Sequence, residues 1–375
     1  MNESNRKRSL VSIVVPCYNE EHTLEGCIQK LMEIEDDRVA LEVIIVNDAS
    51  KDNSLQVAEG LKSRYPQLRV MSHDKNMGKG AALNTGFQAA TGEIVAIQDA
   101  DLEYDPRDLR RLFDPILEGY ADVVFGSRYL FSGTHRVLYF WHSLGNAFLT
   151  FLSNMFTDLN LSDMETCYKV FCADLIKKIT IEEKRFGVEP EVTAKIAHLR
   201  PRIYEMGVSY KGRTYEEGKK IGAKDGFRAL YCIFHYNAPN CPMPIQFLIY
   251  IFIGGLCAIV NLALFLALKN TELSLNAALL SAFFIAAVLN YFLCILLLFK
   301  HKAKWNSAGE FFIFVVLVIA IGLFDLTTTK KMMEMGFTAT GAKLIATAFG
   351  LVLNFLGRKW LVFPQRASGP WHKQN

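Results

Sequence analysis

Between residues 96 and 106 the chain reads AIQDADLEYDP, and four carboxylates, Asp99, Asp101, Glu103 and Asp105, fall on alternate positions directly behind an apolar run. Like charges this close raise one another's pKa and cost stability unless a cation sits among them. Mg²⁺ or Mn²⁺, hard ions that take oxygen ligands and leave positions open for a diphosphate, would relieve the crowding. Asp105 stands apart, because the Asp-Pro step reads as the N-cap of a helix starting at Pro106 or Arg107. A calcium loop of the EF-hand type is excluded. Counted from Asp99, its glycine position holds Tyr104 and its closing glutamate position holds Arg110.

The elements that must position these acids are short β-branched runs: VSIVV (11–15), EVIIV (42–46), RVMS (69–72), EIVAI (93–97) and DVVFG (122–126). Helix-period segments separate them, which predicts βαβ units and a Rossmann-like, mainly parallel, doubly wound α/β sheet. Ligands bind beyond the carboxyl ends of such strands. Polar clusters stand there: PCYNEE after the first run, NDASKDNS after the second, QDADLEYDP after the fourth and GSRY after the fifth. Each cluster alone also reads as ordinary turn chemistry, with Ser50 or Asp52 capping the next helix. MGKGAALNTG (77–86) has neither the dinucleotide nor the P-loop glycine spacing. Its glycines still open a helix whose N-terminus favours anions, which brings Lys79 toward a phosphate.

The 375 residues divide by composition. Up to about residue 240 charge mixes with short apolar runs. Beyond Pro244 apolar blocks predict four membrane spans, near 245–268, 275–299, 309–328 and 340–363. The expected organisation is a catalytic domain over 1–211, interfacial amphipathic helices over 212–240 and an all-α transmembrane domain over 241–366. A net charge of +3 gives no case for a nucleic-acid partner. Eight cysteines without a Cys-x-x-Cys pair indicate reduced thiols, and MNESNRKRSL lacks the apolar core of a signal peptide. Lys300, Lys302 and Lys304 after the second span, and Arg358, Lys359 and Arg366 at the fourth, put the catalytic domain on the cytoplasmic side by the positive-inside rule, while Lys330 and Lys331 count against it.

Taken in order and at their spacing, VVPCYNEE, VNDASKDNS, GKGAALNTGF, QDADLEYDP and VVFGSRY resemble the motifs of family 2 glycosyltransferases with the GT-A fold. Residues 10 to about 235 resemble the branch of dolichol-phosphate mannose synthases and related polyprenyl-phosphate hexosyltransferases. The resemblance implies that Pro16, Tyr18, Glu20 and Asp48 hold the nucleoside. It makes Asp99 and Asp101 the Asp-x-Asp pair that binds metal and diphosphate, with Glu103 as third metal-side residue where mannose synthases often carry Gln. The implied donor is GDP-mannose or a UDP-hexose, and the implied acceptor is a polyprenyl or dolichyl phosphate. That acceptor oxygen is already anionic, so positioning and charge stabilisation replace a general base. Arg128 is the leading residue for the acceptor phosphate, since guanidinium binds phosphate in a bidentate way, followed by Arg136, Ser143 and Arg213. Asp101 and Arg128 are thereby the catalytic pair. Asp163, Glu165 and Thr166 of SDMETCYKVF fall near the sugar, and Glu189 and Glu191 read as helix N-terminal acids.

RVLYFWHSLGNAFLTFLSNMFTDLNL (136–161) suits either a buried helix or one lying in the bilayer interface with Trp141 as anchor. Residues 212–236 combine Lys219, Lys220, Lys224 and Arg228 with Phe227, Tyr231 and Phe234, a basic interfacial helix. In the membrane half, LNYF and LNFLGRKWLVF repeat an Asn-aromatic step, suggesting two related hairpins. That half resembles the GtrA-like domain, with a role in handling lipid-linked sugar or in anchoring and homo-oligomer formation; Asn261, Asn290 and Asn354 also fit interhelical hydrogen bonding. A processive polysaccharide synthase is the nearest rival, but its Gln-x-x-Arg-Trp motif is absent. A purely binding scaffold is the other.

Overall fold

The computed structural model describes residues 8–134, 136, 137, 139–212, 222–238, 240–269, 274–299 and 307–363. Its chain falls into two compact units, one up to Asn237 and one from Ala238.

The first unit is built on a seven-stranded sheet. Its strands are β1 (Ser9–Cys17), β2 (Val39–Asn47), β3 (Leu68–Ser72), β4 (Ile94–Ile97), β5 (Val123–Ser127), β6 (Lys169–Cys172) and β7 (Ile203–Gly207). They lie in the order β3-β2-β1-β4-β6-β5-β7. Strand β1 pairs parallel with β2 and β4, and β5 pairs parallel with β7, while β6 alone runs antiparallel to both its neighbours. The five runs expected from sequence are β1 to β5. The two strands that were not expected, β6 and β7, are short or half-polar. The central strands are buried along almost their whole length, as strands covered on both faces must be. The chain turns back on itself between β1 and β4, which makes the crevice beyond their carboxyl ends a topological switch point.

The helices on this sheet include α1 (Leu24–Met32), α2 (Ser54–Arg64), α3 (Lys79–Ala89), α4 (Pro106–Leu117), α5 (Phe140–Thr157), α6 (Ala173–Ile176), α7 (Val188–Leu199) and α8 (Ala223–Asn237). Helix α4 starts as expected: the Asp105 carboxylate accepts from Arg107 N at 3.0 Å and Pro106 opens the first turn. Helix α8 packs on α7 and α5, with Phe156 and Phe234 edge to face at 4.9 Å, so it belongs to this unit. Arg228, expected among the basic residues of an interfacial helix, pairs with Glu183 at 2.6 Å. Lys219 and Lys220 lie outside the described residues. Val137, Phe140, Trp141 and Phe151 of the α5 region, with Phe227 of α8, stay exposed on this unit.

The second unit consists of α9 (Met243–Lys269), α10 (Leu275–Leu293), α11 (Ser307–Glu334) and α12 (Ala339–Gly357). All four are long and apolar enough to cross a membrane. Helix α9 pairs with α10 and α11 with α12. The two hairpins repeat each other closely. Helices α10 and α12 are both 19 residues long, begin on a hydroxyl cap (Ser274, Thr338) and pass into a π-helical segment, Cys294–Phe299 or Arg358–Val362. Asn290 and Asn354 hold the same position in α10 and α12, as do Tyr250 and Phe314 in α9 and α11. These positions meet at one residue. Arg358, 4% exposed, donates to the side-chain oxygens of Asn354 (3.2 Å) and Asn290 and lies between the Tyr250 and Phe314 rings. Lys300, Lys302, Lys304 and Arg366 lie outside the described residues.

Candidate active site

The loops after β1, β2, β4 and β5 open on a cavity of about 1070 Å³ in the first unit. Pro16, Tyr18, Glu20, Asp48, Lys79, Asp99, Asp101, Glu103, Arg128, Arg136 and Ser143 all line it. Arg213 lies outside the described residues; of the residues expected near the sugar, Glu165 lines the cavity, while Asp163 and Thr166 are fully buried and do not.

The first two loops are tied to each other. Asn19, in left-handed backbone at φ 54°, takes Lys51 N on its side-chain oxygen at 2.8 Å, and its own N–H donates to Ser50 Oγ. Glu20 N donates to Ser54 Oγ and Glu21 N to Asp52 Oδ2. Ser50 and Asp52 therefore cross-tie the crevice, although Asp52 also accepts from Ser54 at the start of α2. Burial works against the Asp52 charge, but these hydrogen bonds outweigh it and hold its pKa below the usual carboxylate value.

Asp48 is 2% exposed and fully engaged. Its Oδ1 meets His73 Nδ1 at 2.7 Å and accepts from Met77 N at 2.8 Å, and its Oδ2 accepts from Gly78 N at 2.6 Å. The anion at the glycine loop is thus the protein's own carboxylate. Two residues on, Gly80 N donates to Lys184 O at 2.9 Å. Gly78 needs its freedom, with φ 94°, and a Cβ at Gly80 would collide with the Glu183 carbonyl. The Gly78 and Gly80 amides at this helix start are thus engaged inside the chain. Lys79 itself reaches the cavity, where its Nζ bridges Asp99 Oδ1 at 3.0 Å and Glu189 Oε1 at 2.9 Å.

Behind the acids, the carbonyl of Asp99 accepts from Gln98 Nε2 at 2.9 Å and Cys27 Sγ at 3.4 Å, fixing the loop on β4. Asp101 Oδ1 accepts from Glu103 N at 3.1 Å. Glu103 is drawn to the other wall, where Tyr210 OH donates to its Oε2 at 2.6 Å and Lys211 N donates to its carbonyl. Burial, then Glu103, pushes the Tyr210 phenol up. Asp99, Asp101 and Glu103 are hard oxygen donors lining the same cavity, a donor type that suits Mg²⁺ or Mn²⁺. Their oxygens do not converge: among the described residues no three acidic, His or Cys side chains form a metal-sized cluster.

Arg128, directly after β5, is held by a carboxylate. Its Nε and Nη2 donate to the two oxygens of Asp163 at 2.6 and 2.7 Å, and Nη2 also reaches Asn146 at 3.1 Å. The guanidinium lies 5.2 Å from the Tyr210 ring centre. Asp163, expected near the sugar, is fully buried beneath Arg128. Only Nη1 of Arg128 has no acceptor among the described residues. Arg136 donates to Gly212 O at 2.8 Å from the cavity rim.

The loop after Asp163 is clamped by Lys169 of β6, whose buried Nζ donates to Met164 O at 3.0 Å and to Thr166 O. Burial lowers the Lys169 pKa, with Glu189 and Glu165 opposing it. Lys169, His73, Asn146 and Tyr210 were not found by sequence reasoning. His73 alone had a signal, since it follows a strand end on the crevice edge.

Residues 12–180 match Glycosyl transferase family 2, and residues 249–363 match the GtrA/DPMS transmembrane domain. The uncharacterized glycosyltransferase YibD of Escherichia coli (strain K12) is 37% identical over 123 residues, 33% of this chain and 34% of that protein. The dolichol-phosphate mannosyltransferase of Pyrococcus furiosus is 32% identical over 123 residues, again 33% of this chain and 34% of that one. The match thus spans about a third of the length of each of these relatives. The undecaprenyl-phosphate mannosyltransferase of Micrococcus luteus is 27% identical over 224 residues, 56% of this chain and 88% of its own. Among solved structures, glucosyl-3-phosphoglycerate synthase from Mycobacterium tuberculosis with uridine-diphosphate aligns at a TM-score of 0.48 and 18% identity, over 61% of this chain and 80% of that one. The chain joins a family 2 glycosyltransferase domain to a GtrA/DPMS transmembrane domain.

Proposed function

We propose that the chain transfers a hexose, mannose before glucose, from a nucleotide sugar to a polyprenyl or dolichyl phosphate at the cytoplasmic membrane face, with inversion at the anomeric carbon. The observation that carries this reading is the convergence on one cavity of an acidic wall, Asp99 and Asp101, and a basic wall, Arg128 and Arg136, with the neutral hydroxyl residue Ser143 also lining it. The acidic wall, with Mg²⁺ or Mn²⁺ on Asp99 and Asp101, suits the diphosphate of a donor; the ion, when bound, neutralises the leaving group. The basic wall suits the phosphate of an acceptor.

In the reaction the acceptor phosphate oxygen attacks the anomeric carbon. The bond from that carbon to the diphosphate breaks, and its electron pair leaves with the nucleoside diphosphate. A single displacement inverts the centre. Asp163 orients Arg128 through two hydrogen bonds and leaves Nη1 for the acceptor phosphate. Tyr210, whose ring lies beside the Arg128 guanidinium, also holds Glu103 by a hydrogen bond. The exposed apolar side chains Phe140, Trp141 and Phe227 suit an enzyme that works against a bilayer. The names of the Pyrococcus and Micrococcus relatives support the acceptor class.

The test is to incubate the purified full chain with radiolabelled GDP- and UDP-sugars plus polyprenyl phosphate and count label in extracted lipid. Label in lipid from one donor, lost in Asp101→Ala, is expected. Full activity of the Asp101→Ala variant sinks the reading.

A further inference from the structure

Between α6 and α7 the chain runs through residues 180–187, and three helices hold that loop at once. From α7, the Glu191 carboxylate accepts from Glu182 N at 2.7 Å and Glu183 N at 2.8 Å, while Lys195 Nζ donates to Thr180 O at 2.6 Å. From α3, Gly80 N donates to Lys184 O at 2.9 Å. No side chain fits between those two backbones. A Cβ on Gly78 would lie 2.2 Å from Lys184 O, and one on Gly80 would lie 1.9 Å from Glu183 O. From α8, Arg228 donates to both oxygens of Glu183, through Nε at 2.9 Å and Nη2 at 2.6 Å, and Tyr236 OH adds a third hydrogen bond at 3.3 Å. Burial works against the Glu183 charge, but the Arg228 guanidinium outweighs it and holds the carboxyl below its usual pKa.

Lys79 stands between the two glycines that this loop seats, and its Nζ reaches Asp99 and Glu189 in the cavity. A lysine ammonium is a point charge on a flexible stem, so where its backbone starts decides where the charge arrives. A bidentate Arg–carboxylate pair, by contrast, fixes geometry as well as charge. Neither Glu183 nor Arg228 lines the cavity, so any effect they have on a ligand passes through the loop. Nor does α8 depend on their pair for docking: Phe234 packs on Phe156, and Tyr236 and Cys232 are buried against Ala194. We propose that Glu183 is a positioning residue: tied to Arg228 of α8, it holds residues 182–184 against the start of α3 and so places Lys79 for the diphosphate of the donor. This rests on the reading above, that the cavity takes a nucleotide sugar.

The test is calorimetric titration of the full chain in detergent with UDP, GDP and their hexose conjugates, for wild type, Glu183→Gln, Arg228→Met and the double variant. Calorimetry reads stoichiometry and affinity separately, so a purely structural loss lowers the first and leaves the second. Each single variant is expected to bind the nucleoside diphosphate that wild type prefers on the order of 10-fold more weakly, at wild-type stoichiometry. The double variant should be no weaker than the weaker single one, because all three break the same pair. It also strands no charge, so it carries the test even where Arg228→Met alone unfolds. Wild-type affinity in the double variant, with only stoichiometry or melting temperature lowered, overturns the proposal. A double variant weakened by the product of the two single losses shows two separate effects and also overturns it. If wild type binds neither nucleoside diphosphate nor nucleotide sugar, the nucleotide-sugar reading itself fails and this role falls with it.

Discussion

Arg128 in the catalytic unit and Arg358 in the membrane unit are both secluded guanidinium groups set against aromatic rings, and their partners differ in kind. Arg128 is clamped by the buried carboxylate of Asp163, at 2.6 and 2.7 Å. Arg358 is held by the amide oxygens of Asn290 and Asn354 and by Cys294 Sγ at 3.3 Å, with no ion pair among the described residues. A carboxylate fixes a guanidinium strongly, but removing it strands a charge. Amide oxygens satisfy the donors without bringing a second charge into an apolar unit, where ionised side chains are costly. The catalytic unit thus gains directional rigidity at the cost of fragility, and the membrane unit the reverse.

The comparison breaks most visibly at Asp163. Asp163→Ala should destabilise the catalytic unit by about 3–5 kcal/mol, the cost of stranding one half of a buried pair. With Arg128 misplaced, transfer should fall on the order of 100-fold. Denaturant unfolding and lipid-transfer rates measure the two. In the membrane unit Arg358→Met should cost less, about 1–3 kcal/mol, because it orphans two neutral acceptors and strands no charge. Thermal unfolding in detergent compares it with Asn290→Leu. A loss in Asn290→Leu as large as in Asp163→Ala would show that the amides do more than satisfy donors.

A finer test concerns Glu165. Its folded pKa is raised, to about 8 from 4.5, so the folded state holds a proton that the unfolded state releases across that window. Wild type should therefore lose stability relative to Glu165→Gln as pH rises from about 4.5 to about 8, with the gap constant above. Parallel unfolding curves for the two proteins at all pH values would refute this. The smallest effect belongs to Asp105, a helix cap: Asp105→Ala should cost about 1 kcal/mol in denaturant unfolding.

Four strands, β1, β2, β4 and β5, were legible because their β-branched runs are short, buried along almost their whole length and followed by polar clusters, and the half-exposed edge strand β3 was legible from the alternation of runs with helix-period segments. Strand β6 was not, because KVFC carries the buried Lys169 and sits inside a segment that reads as site. Strand β7, IYEMG, has no continuous apolar run. The cap at Asp105 was legible from the Asp-Pro step alone. The cavity residues were legible as a group, since parallel topology puts strand ends on one edge. Their partners were not: nothing local tells that Asp163 lies under Arg128, that Asp48 clasps the glycine loop or that Tyr210 holds Glu103, because each bond joins residues far apart in sequence.

The paired hairpins of the membrane unit have a consequence for how such a charge can arise. The place of Arg358 in one hairpin is taken by Cys294 in the other, and the two meet at 3.3 Å. Two identical hairpins associating as separate chains would carry either no arginine there or two opposed ones, and opposed cations in an apolar interior repel. Linking the copies in one polypeptide lets them diverge, so that a single cation can sit where symmetry would forbid it.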